Sequence, residues 1–526
     1  MDEALALREI ISLILSLPPG DNGIVAAKIG ICRKYRLNAV PKNSAILAAA
    51  LPEERETLRR ILLVKPTRTL SGVAPVAVMT SPYPCPHGRC LPCPGGPAHP
   101  YGSPQSYTGE EPAAKRAREH GYDPFLQVQA RLGQFETLGH RVEKVELIVM
   151  GGTMTARPIE NQHEFVSRCI EAMNSYPNTI PASTVQPIDT VETANETAAV
   201  RCVAITFETR PDWCKEEHIN RMLDLGVTKV ELGVQHIDDE ILTFNRRGCT
   251  VADTVEANRL LRDAGIKVGF HVMPNLPHST IAADKEMFEL LFSDPRFKPD
   301  FLKIYPTLVT PGSEIEELWE LKRYAPYNED QLIDLIAYAK TLIPEYTRLS
   351  RVQRDIPAKL IVAGSRHSNF RQLAQNKLKS QGRRCRCIRC REIGRLPSSL
   401  ESEIHVTKYD CCDGREHFIS SVSGDSLIGF ARLRFPSMEF RPELHDAALV
   451  RELHVYGSLV PVGNDAAEVE EWQHRNFGKL LLTQAEEIAT NAGFSRVAIM
   501  SGIGVRPYYR KSGYERRGPY MVKELR

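Results

Sequence analysis

No run of about 18 apolar residues occurs in this chain of 526 residues, so a membrane-spanning helix is excluded. The apolar stretch Ala4–Leu17 carries Arg8 and Glu9, and no small-residue cleavage site follows it. It reads as an amphipathic helix, not a signal peptide. Neither charge is in excess: 67 Lys and Arg against 65 Asp and Glu leave +2. At that scale the chain points to no charged partner. Internal repeats and low-complexity segments are absent. Thirteen cysteines are too few for a disulfide scaffold at this length, and the count is odd. With no secretion signal, a reducing, cytoplasmic compartment is expected. Cysteines there serve as metal ligands or as small buried apolar residues.

At roughly 150 residues per domain, the length suggests three or four domains. Residues 1–70 read as helices, with apolar spacing in Leu5–Leu17, Ile24–Leu37 and Ser44–Leu63. Residues 71–349 alternate short apolar runs with helical stretches: Val73–Met79, Val145–Met150, Val203–Thr206, Lys229–Val234, Lys267–Met273 and Phe301–Tyr305. This is the α/β pattern of a parallel sheet, and six strands predict a partial or complete (β/α) barrel. Residues 350–400 form a polar, Arg-rich connector. Residues 401–526 change to antiparallel strands, with turns at Asp413-Gly414 and Ser423-Gly424-Asp425, then a helix over Phe477–Asn491 and a strand over Arg496–Met500.

Six of the thirteen cysteines fall in two tight groups. The first, Cys85, Cys90 and Cys93, is C-x4-C-x2-C after the first predicted strand. Such a loop can wrap three thiolates around a 4Fe-4S cluster and leave one iron open. An open iron can chelate the amino and carboxylate groups of S-adenosyl-L-methionine, whose reductive cleavage gives an adenosyl radical. The competing reading is a zinc knuckle with His87 as fourth ligand.

The stretch CPHGRCLPCPGGP, followed by QSYTGEEPAAKRA, resembles the radical-SAM domain of the Elongator catalytic subunit family. KPTRTLSGVAPVAVM, VMGGT, ITFETRPDWC, ELGVQ, HVMPNLP and LKIYPTLVTPG extend the resemblance over nearly the whole chain. It implies a radical-SAM barrel joined to a Gcn5-related acetyltransferase domain. Gly151 and Gly152 end a strand, where backbone can approach the methionine moiety of the cofactor; an ordinary strand–helix turn is the alternative. Glu208, Arg210 and Gln235 sit at strand ends, where barrel sites gather polar groups; a surface ion pair is the alternative for Glu208 and Arg210. Lys267 and Lys303 lie among apolar neighbours, so each must be paired or shift its pKa. In the family, a lysine and a tyrosine at positions like Lys267 and Tyr305 are implicated in acetyl transfer or its coupling to radical chemistry.

The second group, Cys385, Cys387 and Cys390, offers three thiolates within six residues, and zinc wants four ligands. Cys411, Cys412, His405 and His367 are candidates for the fourth. The family has a zinc-binding element at this junction. From Arg366 to Arg395 there are ten Lys and Arg and one acid, Glu392, or +9 on a chain of +2. Clustered cations of this kind supply most nucleic-acid affinity. Arg383, Arg384, Arg386 and Arg389 are therefore candidate tRNA contacts, as are Lys28, Arg33, Lys34 and Arg36 in an N-terminal stretch without acids. A solvated linker is the plain alternative.

Gln473-His-Arg-Asn476-Phe477-Gly478-Lys-Leu opens a helix after a strand. It resembles the acetyl-CoA loop of the Gcn5-related acetyltransferases, Q/R-x-x-G-x-G/A. Unpaired N–H groups at that helix start bind the CoA pyrophosphate. Asn476 stands where the pattern has glycine; Asn tolerates left-handed dihedrals but adds a side chain near the phosphates. Within Arg506–Tyr514, Tyr508 or Tyr509 matches the tyrosine that contacts the CoA thioester, with core packing as the alternative for either.

The resemblance implies an enzyme that forms 5-carboxymethyluridine at the tRNA wobble position from acetyl-CoA by radical-SAM chemistry. A protein lysine acetyltransferase with a structural iron–sulfur cluster is the second reading, and a tRNA-binding scaffold with one dead half the third. Self-association and accessory subunits stay open.

Overall fold

The structure, a computed structural model, describes residues 2–17, 23–62, 72–97, 102–140, 142–367, 369–393, 402–456 and 476–525. At the N-terminus four helices, Asp2–Ser16, Gly23–Lys34, Asn43–Ala48 and Pro52–Leu62, pack around Ile10, Ile14, Ile31, Ile46 and Leu58. The single helix expected over Ser44–Leu63 is two. Pro52 has no N–H for a continuing ladder and suits the first position of a new helix.

Seven parallel strands follow: β1 (Ala74–Met79), β2 (Lys144–Met150), β3 (Arg201–Thr209), β4 (Lys229–Gln235), β5 (Lys267–Val272), β6 (Phe301–Ile304) and β7 (Arg348–Val352). They pair in sequence order with β1 and β7 as open edges, so the barrel is partial. The six expected strands are present. The seventh escaped notice because Arg348, Ser350 and Arg351 interrupt its apolar residues. It straddles the 349/350 boundary drawn from sequence.

Alternation along each strand sorts its side chains. In β2, Val145, Leu147 and Val149 are fully buried beneath helices Pro124–Thr137 and Ile159–Ser175, whereas Lys144, Glu146, Ile148 and Met150 face inward. The apolar contacts are therefore on the outside of this sheet and the charges on the inside.

A second sheet holds β8 (Glu403–Cys411), β9 (Gly414–Ser423), β10 (Ser426–Phe435), β11 (Ala447–Val455), β12 (Arg496–Met500), β13 (Glu515–Arg517) and β14 (Tyr520–Glu524), in the order 13-14-12-11-10-9-8. Only β11 and β12 pair in parallel, and helix Phe477–Asn491 packs on β9 to β11. The first hairpin turns at Cys412-Asp413, one residue before the expected Asp413-Gly414. Both turn residues have positive φ (49° and 59°), the conformation of a tight two-residue loop. The strands β13 and β14 were not expected.

The two sheets share one core. Ala447, Leu449, Ala498 and Met500 join the cluster that includes Val230 and Val268. A Cβ on Gly502 would lie 1.9 Å from the Val203 carbonyl oxygen, so this approach requires glycine. Three acids and four arginines are also buried between the sheets, and a fourth acid, Glu452, is half-buried at the cavity wall. Arg451 binds Asp300 (2.8 Å) and Glu416 (2.9 Å), Arg262 binds Glu416 (3.0 Å), Arg434 binds Asp263 (2.7 Å) and Arg432 binds Glu452 (2.8 Å). Burial alone would raise the Asp300 carboxyl, but Arg262, Arg451 and Arg432 hold it well below the usual range. Glu416 is lowered likewise, with Arg451 foremost against its burial. No helix among the described residues is long and apolar enough to cross a membrane.

Replacing Asp300 by Asn leaves Arg262 and Arg451 short of countercharge in a water-excluded site. The expected cost is about 3–5 kcal/mol, read as a lower denaturant midpoint; an unchanged midpoint would contradict the network's role. The folded-state carboxyl pKa values lie below those of the unfolded chain. The network's contribution is therefore complete above roughly pH 5 and is lost progressively as pH falls through the depressed values.

Candidate active site

A single cavity of about 2000 Å³ is lined by both sheets. At one end lie the loop of Cys85, Cys90 and Cys93, the β2 turn and the C-terminal ends of the strands. At the other lie Asn476, Gly478 and Tyr508.

The three cysteines are free thiols spread around the cavity wall. Their sulfurs are not gathered within 4.8 Å of one another, as those of the second group are. Protein donors aim at them: Gln105 Nε2 lies 3.2 Å from Cys93 Sγ and Arg247 Nη1 lies 3.8 Å from Cys90 Sγ. Such donors are what cluster sulfurs receive. His87 Nε2 is 3.0 Å from Cys90 Sγ. Burial, with the Arg210 and Arg247 charges, pushes the His87 imidazole down to about 3. Gln235 Oε1 is buried in the wall without a partner, at a residue with φ of 71°. The spaced thiols, the donors and this orphaned oxygen fit a bound cluster and its cofactor.

Gly151 and Gly152 have φ of 119° and 101°, and a Cβ on Gly151 would lie 2.4 Å from Thr80 Oγ1. Both glycines are needed for the turn itself. Arg210 is buried, paired with Asp212 (2.9 Å), and donates to the Arg247 carbonyl. Its ion pair is part-buried, with Asp212 reaching the surface, and its partner is Asp212, not Glu208. Glu208 accepts from the Tyr107 hydroxyl (2.6 Å) and sits 3.6 Å from Lys303.

Inside the first sheet, Glu231 is the hub. It takes an ion pair from Lys229 (3.1 Å), another from Lys303, and a hydrogen bond from His271 (2.9 Å). Burial opposes its ionisation, but the lysine charges hold the carboxyl well below its usual range. In return Glu231 overcomes the burial of Lys303 and keeps that ammonium above the lysine range. Lys267, on the neighbouring strand, forms no ion pair among the described residues, and burial lowers its pKa. Tyr305 stands edge-on to His271, with centroids 5.4 Å apart. Tyr107, Lys229, Glu231, His271 and Arg247 were not picked out as site residues from sequence. Lys229 and Glu231, and His271 with Lys267, were signalled by polar alternation within parallel strands, whereas Tyr107 and Arg247 lie in loops and carried no such signal.

At the other end Asn476 has φ of 59°, the left-handed conformation for which glycine or asparagine is suited. Phe477 is buried against Tyr456 and Ile388. A Cβ on Gly478 would lie 2.8 Å from the Tyr508 hydroxyl. Tyr508 is 41% exposed, whereas Tyr509 is 6% exposed within the core of the second sheet. Gln473 lies outside the described residues.

The sulfurs of Cys385, Cys387 and Cys390 converge within 4.8 Å of one another. Hydrogen bonds from the other two thiols, with the charge of Lys340, hold Cys387 well below the thiol range. None of the four expected fourth ligands joins this group. Cys412 faces the Arg296 carbonyl, Cys411 faces that of Phe297, His405 meets Glu403 and His367 meets Glu329. The reason is packing: Cys411 and Cys412 are tied into the hairpin turn beside Arg262 and Arg434. Gln375 Nε2 approaches Cys390 instead (3.4 Å).

The expected basic surface is partly neutralised. Arg384 and Arg386 pair with Asp425 (2.8 and 3.2 Å), Lys34 pairs with Glu9, and Lys28 donates to Asn43. Arg33, Arg36 and Arg383 are exposed, and Arg389 lines the cavity.

The chain matches the Radical SAM superfamily over residues 81–291, the Radical_SAM C-terminal domain over 299–380 and the ELP3 N-terminal domain over 3–70. It is 48% identical to a tRNA uridine(34) acetyltransferase of Methanocaldococcus jannaschii, covering 92% of this chain and 90% of that protein. It is 42% identical to human Elongator complex protein 3, covering 94% and 91%. The solved structure of Methanocaldococcus infernus Elp3 with an N-terminal deletion (1–46) superposes with a TM-score of 0.75 at 43% identity, covering 86% of this chain and all of that one.

In a Glu231→Gln variant, Lys303 loses the charge that holds its proton. Its amine then becomes open to reductive methylation at mildly alkaline pH, where the unmodified protein resists, and peptide mass mapping reads the difference. Equal labelling of the two proteins would contradict the hub.

Proposed function

The chain belongs to the Elongator complex protein 3 family, and from that premise we propose that it converts the wobble uridine of tRNA to 5-carboxymethyluridine, using acetyl-CoA and S-adenosyl-L-methionine. The observation that carries this reading is the shared cavity. Acetyl donors and radical chemistry would otherwise need separate sites, and here the cysteine loop and the acetyl-CoA loop line one space.

In this reading Cys85, Cys90 and Cys93 hold the 4Fe-4S cluster, which with S-adenosyl-L-methionine supplies the power to remove hydrogen from an unreactive C–H bond. Gln235 offers its unpaired oxygen to the cofactor, while Gly151 and Gly152 keep the β2 turn clear of side chains. Glu208, already held by Tyr107, and Arg210, held by Asp212, wall the same end. At the acetyl end the first-turn N–H groups of helix Phe477–Asn491 face the CoA pyrophosphate, as helix starts do. Asn476 supplies the left-handed turn, and Gln473 precedes it by three positions in the sequence. Tyr508, next to Gly478 and facing the cavity, is placed to meet the thioester; the burial of Tyr509 favours core packing for that residue. Lys267 and Lys303 with Tyr305 line the route between the ends.

Residues 1–70 and 350–400 carry the tRNA in this proposal, 71–349 the radical chemistry and 401–526 the acyl donor. Arg33, Arg36 and Arg383 are the exposed cations suited to phosphates. Lys28, Lys34, Arg384 and Arg386 already hold partners and would have to exchange them. Cys385, Cys387 and Cys390 hold a structural zinc whose fourth ligand is not one of the four expected residues; a coordinated thiol loses its proton, which suits the lowered Cys387. A cytoplasmic setting belongs to the same reading.

The test is nucleoside mass spectrometry of tRNA after anaerobic incubation with reductant, S-adenosyl-L-methionine and acetyl-CoA. 5-Carboxymethyluridine is expected only with all three. Acetylation of peptide lysines without cofactor or reductant, and no new nucleoside, would favour the protein acetyltransferase reading. A Cys85/Cys90/Cys93 triple-Ala variant is expected to lose its iron and the product while still hydrolysing acetyl-CoA; retention of about four irons per chain would contradict the ligand assignment.

A further inference from the structure

The helix that carries Tyr508 is only five residues long, Arg506–Arg510. A helix so short has little stability of its own, so its orientation is set by what it packs on. Tyr509 ties it to the core of the second sheet. Much of the remaining packing comes from the barrel half of the chain. The chain reaches this helix from β12 through Gly502, Ile503 and Gly504. A Cβ on Gly504 would lie 2.5 Å from Arg201 Cβ on β3, just as one on Gly502 would strike the Val203 carbonyl. Neither glycine has a positive φ, so close approach, not backbone conformation, explains both. Ile503 between them is fully buried in the shared core, and a Cβ on Gly226 would lie 3.3 Å from its Cδ1.

The short helix is also gripped by acids. Glu192 lies on helix Ile188–Asn195, and Glu196 caps its C-terminus one turn on. Arg506 and Arg510 are likewise one turn apart. Residues at that spacing share a helix face, so a row of two acids meets a row of two arginines. Arg506 lies 3.0 Å from Glu192 and 3.6 Å from Glu196, and Arg510 donates to Glu196 (3.1 Å). Arg516, on β13, adds a contact to Glu192 (3.2 Å). The Glu192 and Arg506 side chains are each 2% exposed, so this grip is withdrawn from water. Burial raises the Glu192 carboxyl, with Arg506 and Arg516 opposing it. Glu196 falls below its ordinary value against its burial, through Arg510 and Arg506. The charge at Glu196 is therefore the one the arginines hold most firmly. At 3.6 residues per turn, a side chain two positions along a helix is turned by about 200°. Tyr508 is two positions from each arginine, so it stands on the face opposite the grip. That face looks into the cavity, where Tyr508 meets Gly478.

We propose that Glu192 and Glu196, residues of the barrel half, are positioning residues of the acetyl-CoA site: by holding Arg506 and Arg510 they aim the Tyr508 hydroxyl at the thioester. The proposal rests on the reading of Tyr508 given above and adds the residues that hold it in place.

Two mild variants test it. Glu196→Gln keeps the shape of the side chain, and Arg510→Gln changes a partly exposed position; both leave the buried pair of Arg506 and Glu192 intact. Iron content, reductive cleavage of S-adenosyl-L-methionine and calorimetric affinity for free CoA are expected to stay within about twofold of the unmodified protein. Acetyl-CoA hydrolysis in the presence of tRNA is expected to slow at least about fivefold, since small misplacements of a reacting group cost that much or more. A merely structural role is separated by combining each variant with Tyr508→Phe. The added loss is then expected to be under about twofold, because the hydroxyl that the acids aim is already gone. A further readout needs no turnover: backbone hydrogen exchange over residues 503–510 is expected to quicken in both variants while that of helix Phe477–Asn491 stays the same. Hydrolysis within about twofold of the unmodified protein in both variants, full additivity with Tyr508→Phe, or unchanged exchange over 503–510 would overturn the proposal. If Tyr508→Phe hydrolyses acetyl-CoA as fast as the unmodified protein, the thioester reading of Tyr508 fails, and the exchange measurement still decides whether the acids hold the helix.

Discussion

The arrangement depends on a balanced set of charges almost wholly withdrawn from water. Asp263, Asp300, Glu416 and Glu452 face Arg262, Arg432, Arg434 and Arg451 between the two sheets. Seven of these eight side chains are essentially inaccessible to solvent. Removing one partner from such a set leaves a buried charge uncompensated, so it resists partial separation. Asp300 precedes β6, Arg262 lies near the end of a helix against β5, and Glu416 and Arg451 lie on β9 and β11, so the network holds the barrel and the second sheet in a single orientation. The shared cavity exists because that orientation is fixed.

The same logic explains why the barrel interior is charged. Its strands bury their apolar residues outward beneath the helices, and polar residues line the cavity inside. Lys229 and Lys303 would be costly in a dry core. Beside Glu146, Glu231 and Glu208 they are paired and remain charged. Lys267, without an ion pair among the described residues, is pushed the other way by burial. Two lysines on adjacent strands thus have opposite tendencies, set by whether Glu231 is within reach.

Much of this was legible along the chain. The spacing of Cys85, Cys90 and Cys93 needs only a loop, and a loop is local. The turn at Asn476 was foreseen as left-handed because asparagine tolerates that conformation. The parallel strands announced themselves as apolar runs, except β7, whose two arginines and serine hid its two buried residues. What sequence could not supply was distance across the fold. Tyr107 meets Glu208 across 101 positions, and Arg451 meets Asp300 across 151. The second cysteine group shows the limit most clearly. Four residues had suitable chemistry as a fourth ligand, and all four are held elsewhere by partners that only the folded chain brings near. The +9 connector likewise looked free in sequence until Asp425 and Glu345 were placed beside it.

The central claim is that acyl group and radical chemistry meet inside one chain. Mixing two variants tests it most directly: the Cys85/Cys90/Cys93 triple-Ala chain, which keeps the acetyl end, and a Gly478→Val chain, which keeps the cysteine loop and blocks the acetyl end beside Tyr508. Formation of 5-carboxymethyluridine by the equimolar mixture is compared with that by each variant alone. The account predicts no product above the single variants, because neither chain holds both ends of one cavity. Product restored to a sizeable fraction of the unmodified enzyme's would contradict it, since the acyl group would then be moving between separate sites.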